Sequence, residues 1–171
     1  PDNPMGTWHA AGRISRLIEA MPEGCLLCLD EAYIEFAPES AAPDFDTSDP
    51  RVIRFRTFSK AYGMAGLRIG YAITAPETAA AFNRVRNHFG VSRMAQIAAL
   101  AALGDEAHLA SVQAGVAGAR IRIGEIAAAN GLACLPSATN FVAVDCGSDG
   151  DFARRVLAGL LARDIFVRMP G

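Results

Sequence analysis

The chain has 171 residues, of which 51% are apolar and 20% charged, so it can bury a sizeable core and has the composition of an ordinary soluble globular protein. A formal net charge of -2 argues against a nucleic-acid or anionic-membrane surface, since both need a basic face. No apolar run approaches the roughly 18 residues of a membrane span, and no signal peptide is visible. The chain opens on Pro1 in a loop-like stretch and closes at Gly171 after an apolar run, so both ends read as cuts through a longer protein.

In chain order, residues 8–21 (WHAAGRISRLIEAM) have helical periodicity through Ile14, Leu17, Ile18 and Met21, with Thr7 placed to cap the start. Pro22 and Gly24 break that helix. The apolar run CLLCL at 25–29 predicts a strand buried on both faces of a sheet. Residues 37–50 are rich in Pro, Asp and Ser and read as a surface loop. RVIRF at 51–55 predicts a second strand, with Arg54 and Arg56 on one face as a solvated strand start, and LRIGYAI at 67–73 a third.

Pro76 can stand at the first position of a helix reaching about Asn87, and a further helix covers 92–103. Residues 105–129 predict one long helix carrying Leu109, Val112, Val116, Ile123 and Ile126, stopped at Gly131. Cys134 with Leu135, and NFVAV at 140–144, read as short strands. Residues 149–163 predict a helix with Phe152, Val156, Leu157, Leu160 and Leu161 inward, and IFVR at 165–168 a closing strand. The pattern is α/β over residues 1–104 and a smaller α+β unit over 105–171, bridged by the long helix.

Cys25 and Cys28 form a CxxC, but no second half of a metal set accompanies them, because Cys134 and Cys146 lie twelve apart. Cys28 sits in an apolar run, where a free cysteine packs as a small hydrophobe. Four unpaired thiols fit a reducing, cytoplasmic setting. His9, His88 and His108 have no carboxylate or cysteine at motif spacing. The glycines at 63, 66 and 70 do not make GxGxxG and no GxxxxGK exists, so a nucleotide site is unsupported.

Four segments belong together: DNPMG at 2–6, DEAYIEF at 30–36, TFSK at 57–60 and GMAGLRIGY at 63–71. With these the chain resembles the fold-type I aminotransferases of class I/II, most closely the histidinol-phosphate aminotransferase group, over nearly its whole length. Met5 stands where that family usually has Thr. The resemblance implies a mostly parallel large-domain sheet with helices on both faces, a smaller C-terminal domain, and pyridoxal 5'-phosphate as cofactor. It also implies a homodimer in which each site borrows a residue from the partner chain.

On this reading Lys60 holds the cofactor as a Schiff base; otherwise it is a surface lysine beside a Gly-rich turn. The chemistry needs an amine that deprotonates near neutral pH, which burial beside other cations favours. Asp30 ends the apolar run, at the end of a strand where α/β sheets bind ligands, and a buried carboxylate there needs a partner. The resemblance makes that partner the protonated pyridine nitrogen; a turn or cap aspartate is the alternative. It gives the Tyr33 hydroxyl and the Asn3 amide to the cofactor's phenolic oxygen, against core packing for Tyr33 and a plain turn for Asn3. Thr57, Ser59 and Arg68 suit the phosphate, with a strand-start surface charge as the alternative for Arg68. Glu31 and Glu35 read as structural, and Asn140 as a turn residue.

The activity implied is amino transfer between a small-molecule donor of the histidinol-phosphate kind and a 2-oxo acid. Decarboxylation of a phosphorylated amino acid and aromatic amino-acid transamination are alternatives on the same site, and a non-catalytic sensing domain is a third. In relatives, the substrate-carboxylate arginine and the ring-stacking aromatic lie in segments outside these 171 residues.

Overall fold

The structure, a computed structural model, describes residues 1–42 and 48–170. Its main sheet has the order β1-β2-β3, with β1 at Leu27–Asp30, β2 at Val52–Thr57 and β3 at Gly70–Ile73. β1 runs parallel to β2, setting Asp30 opposite Phe55. Residues 58–69 make a compact turn instead of a crossover, so β3 returns antiparallel, with Gly70 opposite Thr57. The ends of β1 and β2 and the start of β3 therefore share one edge of the sheet. Gly70 is dictated by that return, because a Cβ there would lie 2.7 Å from the Arg56 carbonyl oxygen.

Among the described residues five α-helices accompany the sheet: α1 (Ala11–Glu19), α2 (Pro76–Phe82), α3 (Arg93–Leu103), α4 (Glu106–Ala129) and α5 (Gly150–Leu161). Their starts follow local chemistry. Ser92 accepts from the Ala95 amide, Asp105 from His108 and Asp149 from Phe152, while Pro76 occupies the first turn of α2. α4 ends in paired bonds from Gly131 N to Ala128 O and from Leu132 N to Ala127 O, which satisfy carbonyls the helix leaves open. Along α4, Leu109, Val112 and Val116 pack with Phe141 against Tyr33, Phe36 and Ala61, whereas Ile123 and Ile126 are exposed.

Several expectations are corrected. Thr7 does not cap α1: the helix begins after Ala10 with no side-chain cap, and the Thr7 hydroxyl donates to Asp2 at 2.6 Å. α2 stops at Phe82 instead of continuing towards Asn87. The run 25–29 is not buried on both faces, since Leu26 is 62% exposed and Cys28 is exposed. β1 has a single neighbour, β2, and the described residues leave its Cys28 side open. Leu161 is exposed rather than inward.

A second, two-stranded sheet pairs β4 (Ala133–Cys134) with β5 (Val144–Asp145). Residues 140–143 are not part of β5: Ala143 O still accepts from Leu135 N at 2.9 Å, but at Phe141 side chains take over the backbone groups. The Phe141 carbonyl accepts from both Ser137 Oγ and Thr139 Oγ1, and the Phe141 amide donates to Thr139 Oγ1. Residues 165–168 form no strand and find no strand partner among the described residues; Phe166 is 79% exposed. The loop at 37–50 contains a short 3-10 turn, Glu39–Ala41, and otherwise falls partly on residues 43–47, outside the described ones.

The opening loop docks on the turn at 137–141. Ala138 N donates to Gly6 O at 2.8 Å, and Gly6 has φ +79°, where an added Cβ would stand 2.6 Å from Ser137 Oγ. Gly6→Ala should therefore lower the unfolding free energy of the complete protein by about 1–3 kcal/mol, measured by denaturant titration. A variant within about 0.5 kcal/mol of the parent would show that the loop is not seated in this way.

Candidate functional site

Asp30, Thr57, Ser59, Lys60 and Arg68 line one cleft of about 380 Å³ at the shared edge of the sheet. Strand alternation explains the grouping. Asp30 pairs in register with Phe55, so both point to one face, and Thr57 follows two residues on. Beyond β2 the chain turns sharply: the Ser59 amide donates to Thr57 Oγ1 at 3.0 Å, and the two hydroxyls lie 2.9 Å apart. Gly63 N to Lys60 O and Met64 N to Phe58 O close the turn that presents Lys60. Among the described residues the Lys60 amine forms no hydrogen bond or ion pair with protein, so it is available to a ligand.

Arg68 does not begin a strand as an extended residue. It has φ +51°, in the left-handed region, with Nη1 donating to Ala65 O at 2.9 Å and the side chain exposed. A non-glycine residue in this conformation costs about 1–2 kcal/mol, which marks a position held by its surroundings.

On the other side of Asp30 the chain bends through a turn in which Asp30 Oδ1 accepts from the Ala32 amide at 2.9 Å. That turn delivers Tyr33 into the core at 7% exposure, edge-on to Phe141 at 5.5 Å between ring centroids. Asn3 Nδ2 donates to the Tyr33 hydroxyl oxygen at 3.2 Å, leaving the phenol hydrogen free for another acceptor. Lys60 Nζ stands 5.1 Å from the Tyr33 ring centroid. Asn3, Asp30 and Tyr33 line a second cleft of about 360 Å³, and Asp30 borders both. All seven residues singled out in the sequence thus converge. One premise is corrected: the Asp30 carboxylate is exposed, so burial does not compel it to have a partner.

An ionic cluster lies behind the cleft, in which Glu31 and Glu35 are structural as expected. Arg54 and Arg56 are not a solvated strand start. Glu31, only 2% exposed, accepts from Arg54 Nε at 3.0 Å, from Arg54 Nη2 at 2.8 Å and from Arg56 Nε at 2.8 Å. The signal was available as two arginines spaced by two and an acid directly after Asp30, but it becomes legible only once Asp30 is set opposite Phe55. Burial opposes the Arg56 charge, yet the bonds to Glu31 outweigh it and its pKa lies above the ordinary value. Removing one partner of such a buried pair costs about 3–5 kcal/mol.

Glu35 lies at the margin of this cluster. Arg56 Nη1 reaches only to 3.9 Å of Oε1, and Oε2 is buried with no hydrogen-bond partner. Burial pushes its pKa up. No group of three or more His, Cys, Asp or Glu suited to a metal occurs among the described residues, and the cysteines are free.

Sheet, turn and clefts together define a fold-type I aminotransferase architecture. The family model described as aminotransferase class I and II matches residues 1–170, and the chain belongs to that family. It is 41% identical over 175 residues to histidinol-phosphate aminotransferase 2 of Pseudomonas fluorescens (strain Pf0-1), covering 98% of this chain and 45% of that protein. It is 40% identical to histidinol-phosphate aminotransferase 1 of Mesorhizobium japonicum, covering 98% and 46%. The crystal structure of histidinol-phosphate aminotransferase from Sinorhizobium meliloti in complex with pyridoxal-5'-phosphate superposes with a TM-score of 0.96 at 55% identity, over 100% of this chain and 47% of that one. The chain spans about half the length of the curated relatives it matches.

The raised Glu35 pKa has a definite consequence for stability. The native state keeps its proton to higher pH than the unfolded chain does, so the stabilisation is full below the ordinary glutamate pKa and is lost as pH rises through the folded value. Glu35→Gln removes that loss. The stability of Glu35→Gln relative to the parent should therefore increase between about pH 4 and pH 8, followed by thermal unfolding. A difference independent of pH would mean that Glu35 titrates as an ordinary surface carboxylate.

Proposed function

We propose that this chain supplies the cofactor-holding part of an active site that transfers amino groups using pyridoxal 5'-phosphate. The observation that carries the reading is the placement of Lys60 between two donor sets joined at Asp30. Thr57, Ser59 and Arg68 lie on one side, and Asn3 with Tyr33 on the other. The donor chemistry fits the group. Two hydroxyls and an exposed guanidinium suit a phosphate, a carboxylate suits a protonated pyridine nitrogen, and the free Tyr33 hydrogen suits a phenolic oxygen. When bound, pyridoxal phosphate supplies an electron sink for negative charge developing at the substrate Cα.

The residues divide the remaining work. The Lys60 amine would hold the cofactor, and as a free amine it would be the base that takes the proton from the substrate Cα. Asp30 keeps the ring nitrogen protonated. Asn3 orients the Tyr33 hydroxyl, and the buried Tyr33 ring holds that hydroxyl in place. The substrates are an amino donor of the histidinol-phosphate kind and a 2-oxo acid acceptor, a reading supported by the relatives' names. Residues 1–104 belong on this view to the large cofactor domain and 105–171 to the bridging helix and small domain. The complete protein works as a cytoplasmic homodimer. No helix among the described residues is long and apolar enough to cross a membrane.

Borohydride reduction of the complete, cofactor-loaded protein followed by peptide mapping should place the label on Lys60; label on any other lysine would overturn the assignment. Asp30→Asn should retain the cofactor yet slow the first half-reaction about 100-fold, the scale on which a single preorganised electrostatic contact acts. An Asn variant with the parental half-reaction rate would remove Asp30 from the mechanism.

A further inference from the structure

Asp30 stands at the centre of the proposed site, yet little in its own surroundings holds it. Its carboxylate is exposed, and among the described residues it accepts from the neighbouring Ala32 amide. The residue after it is held far more strongly. The Glu31 amide donates to Phe55 O at 2.9 Å, extending the β1–β2 ladder past Asp30. The Glu31 carboxylate, buried on the opposite face, receives the Arg54 guanidinium through Nε and Nη2 and Arg56 through Nε. Both arginines belong to β2, the strand that continues into Thr57, Ser59 and Lys60.

We infer that Glu31 is a positioning residue: by clamping Arg54 and Arg56 it locks the end of β1 against β2 and so sets Asp30 relative to Lys60 and the phosphate-binding turn. The inference rests on the function proposed above. A charged partner is needed here because two guanidiniums lie side by side in a half-buried layer. Glu35 reaches only Arg56, at 3.9 Å, whereas the Glu31 carboxylate bonds both guanidiniums. Losing it would loosen the strand end and leave positive charge one sheet layer from Lys60. The other charged or titratable groups around that position are Asp30, Arg56 and Arg68, which line the cleft, and Tyr33, which faces the amine.

The test uses the complete protein loaded with pyridoxal phosphate and compares Glu31→Gln, Glu31→Asp and Arg54→Lys with the parent. Cofactor release, apo-protein unfolding and the pH titration of the visible absorbance band of the lysine-bound cofactor are followed in each. Glu31→Gln should weaken cofactor retention about tenfold or more, the worth of one charge-assisted hydrogen bond, and move the titration midpoint to lower pH. Glu31→Asp, which keeps the charge, should restore most of the midpoint. Arg54→Lys, which keeps the charge and loses the fork, should weaken retention with a smaller midpoint change.

A Glu31→Gln protein that unfolds more easily but keeps parental retention and titration would overturn the inference and make the cluster an ordinary ion pair of the fold. Should Glu31→Gln fail to fold, parental retention in Arg54→Lys would overturn it equally. Failure of the functional reading is separable, since the parent itself would then show no such band and no borohydride label at Lys60.

Discussion

The parallel pairing of β1 with β2 is the constraint on which the rest of the site depends. Setting Asp30 opposite Phe55 sends Asp30, Phe55 and Thr57 to one face and Glu31 with Arg54 to the other, where Arg56 joins them while also bordering the cleft. The front face becomes a cleft with a free amine, and the back face becomes a buried ionic layer. A shift of one residue in register would exchange the two faces, placing Glu31 in the cleft and leaving two guanidiniums without their acid. The buried charges thus disfavour the wrong register as well as stabilising the right one.

Two further contacts tie this edge of the sheet to the body of the chain. The Asp30 turn drives Tyr33 into the core, where Phe36, Ala61, Phe141 and the face of α4 carrying Leu109, Val112 and Val116 enclose it. The opening loop reaches the same place from the other side, with Asn3 on the Tyr33 hydroxyl and Gly6 against residues 137 and 138. Arg120 of α4 adds bonds to the carbonyls of Phe36 and Thr139. Segments more than a hundred residues apart thereby support one phenol ring, whose position decides where its hydroxyl points.

Two departures from sequence expectation, at 25–29 and 165–168, are apolar runs that lie exposed among the described residues. β1 reads as a doubly buried strand and 165–168 as a strand, because apolar runs record what a segment is suited to bury. In the described residues Leu26 and the 165–167 stretch are exposed, and the chain spans about half the length of its curated relatives. At Phe141 the reason is local. Ser137 and Thr139 offer hydroxyls to the Phe141 backbone, and a ladder cannot use the same groups twice.

By itself the sequence determined most of the order of the elements and the short segments, 2–6, 30–36, 57–60 and 63–71, in which the candidate residues stand. Those features are local: a motif keeps its residues on the same turn wherever that turn is placed. It could not determine that β3 returns antiparallel, that Arg54 and Arg56 are largely withdrawn from solvent, or that Glu31 joins them. Each of these depends on which strand lies beside which and in what register, so only the tertiary structure decided them. The exposure of Asp30 follows the same rule, since burial belongs to a residue's neighbours in space and not to the residue itself.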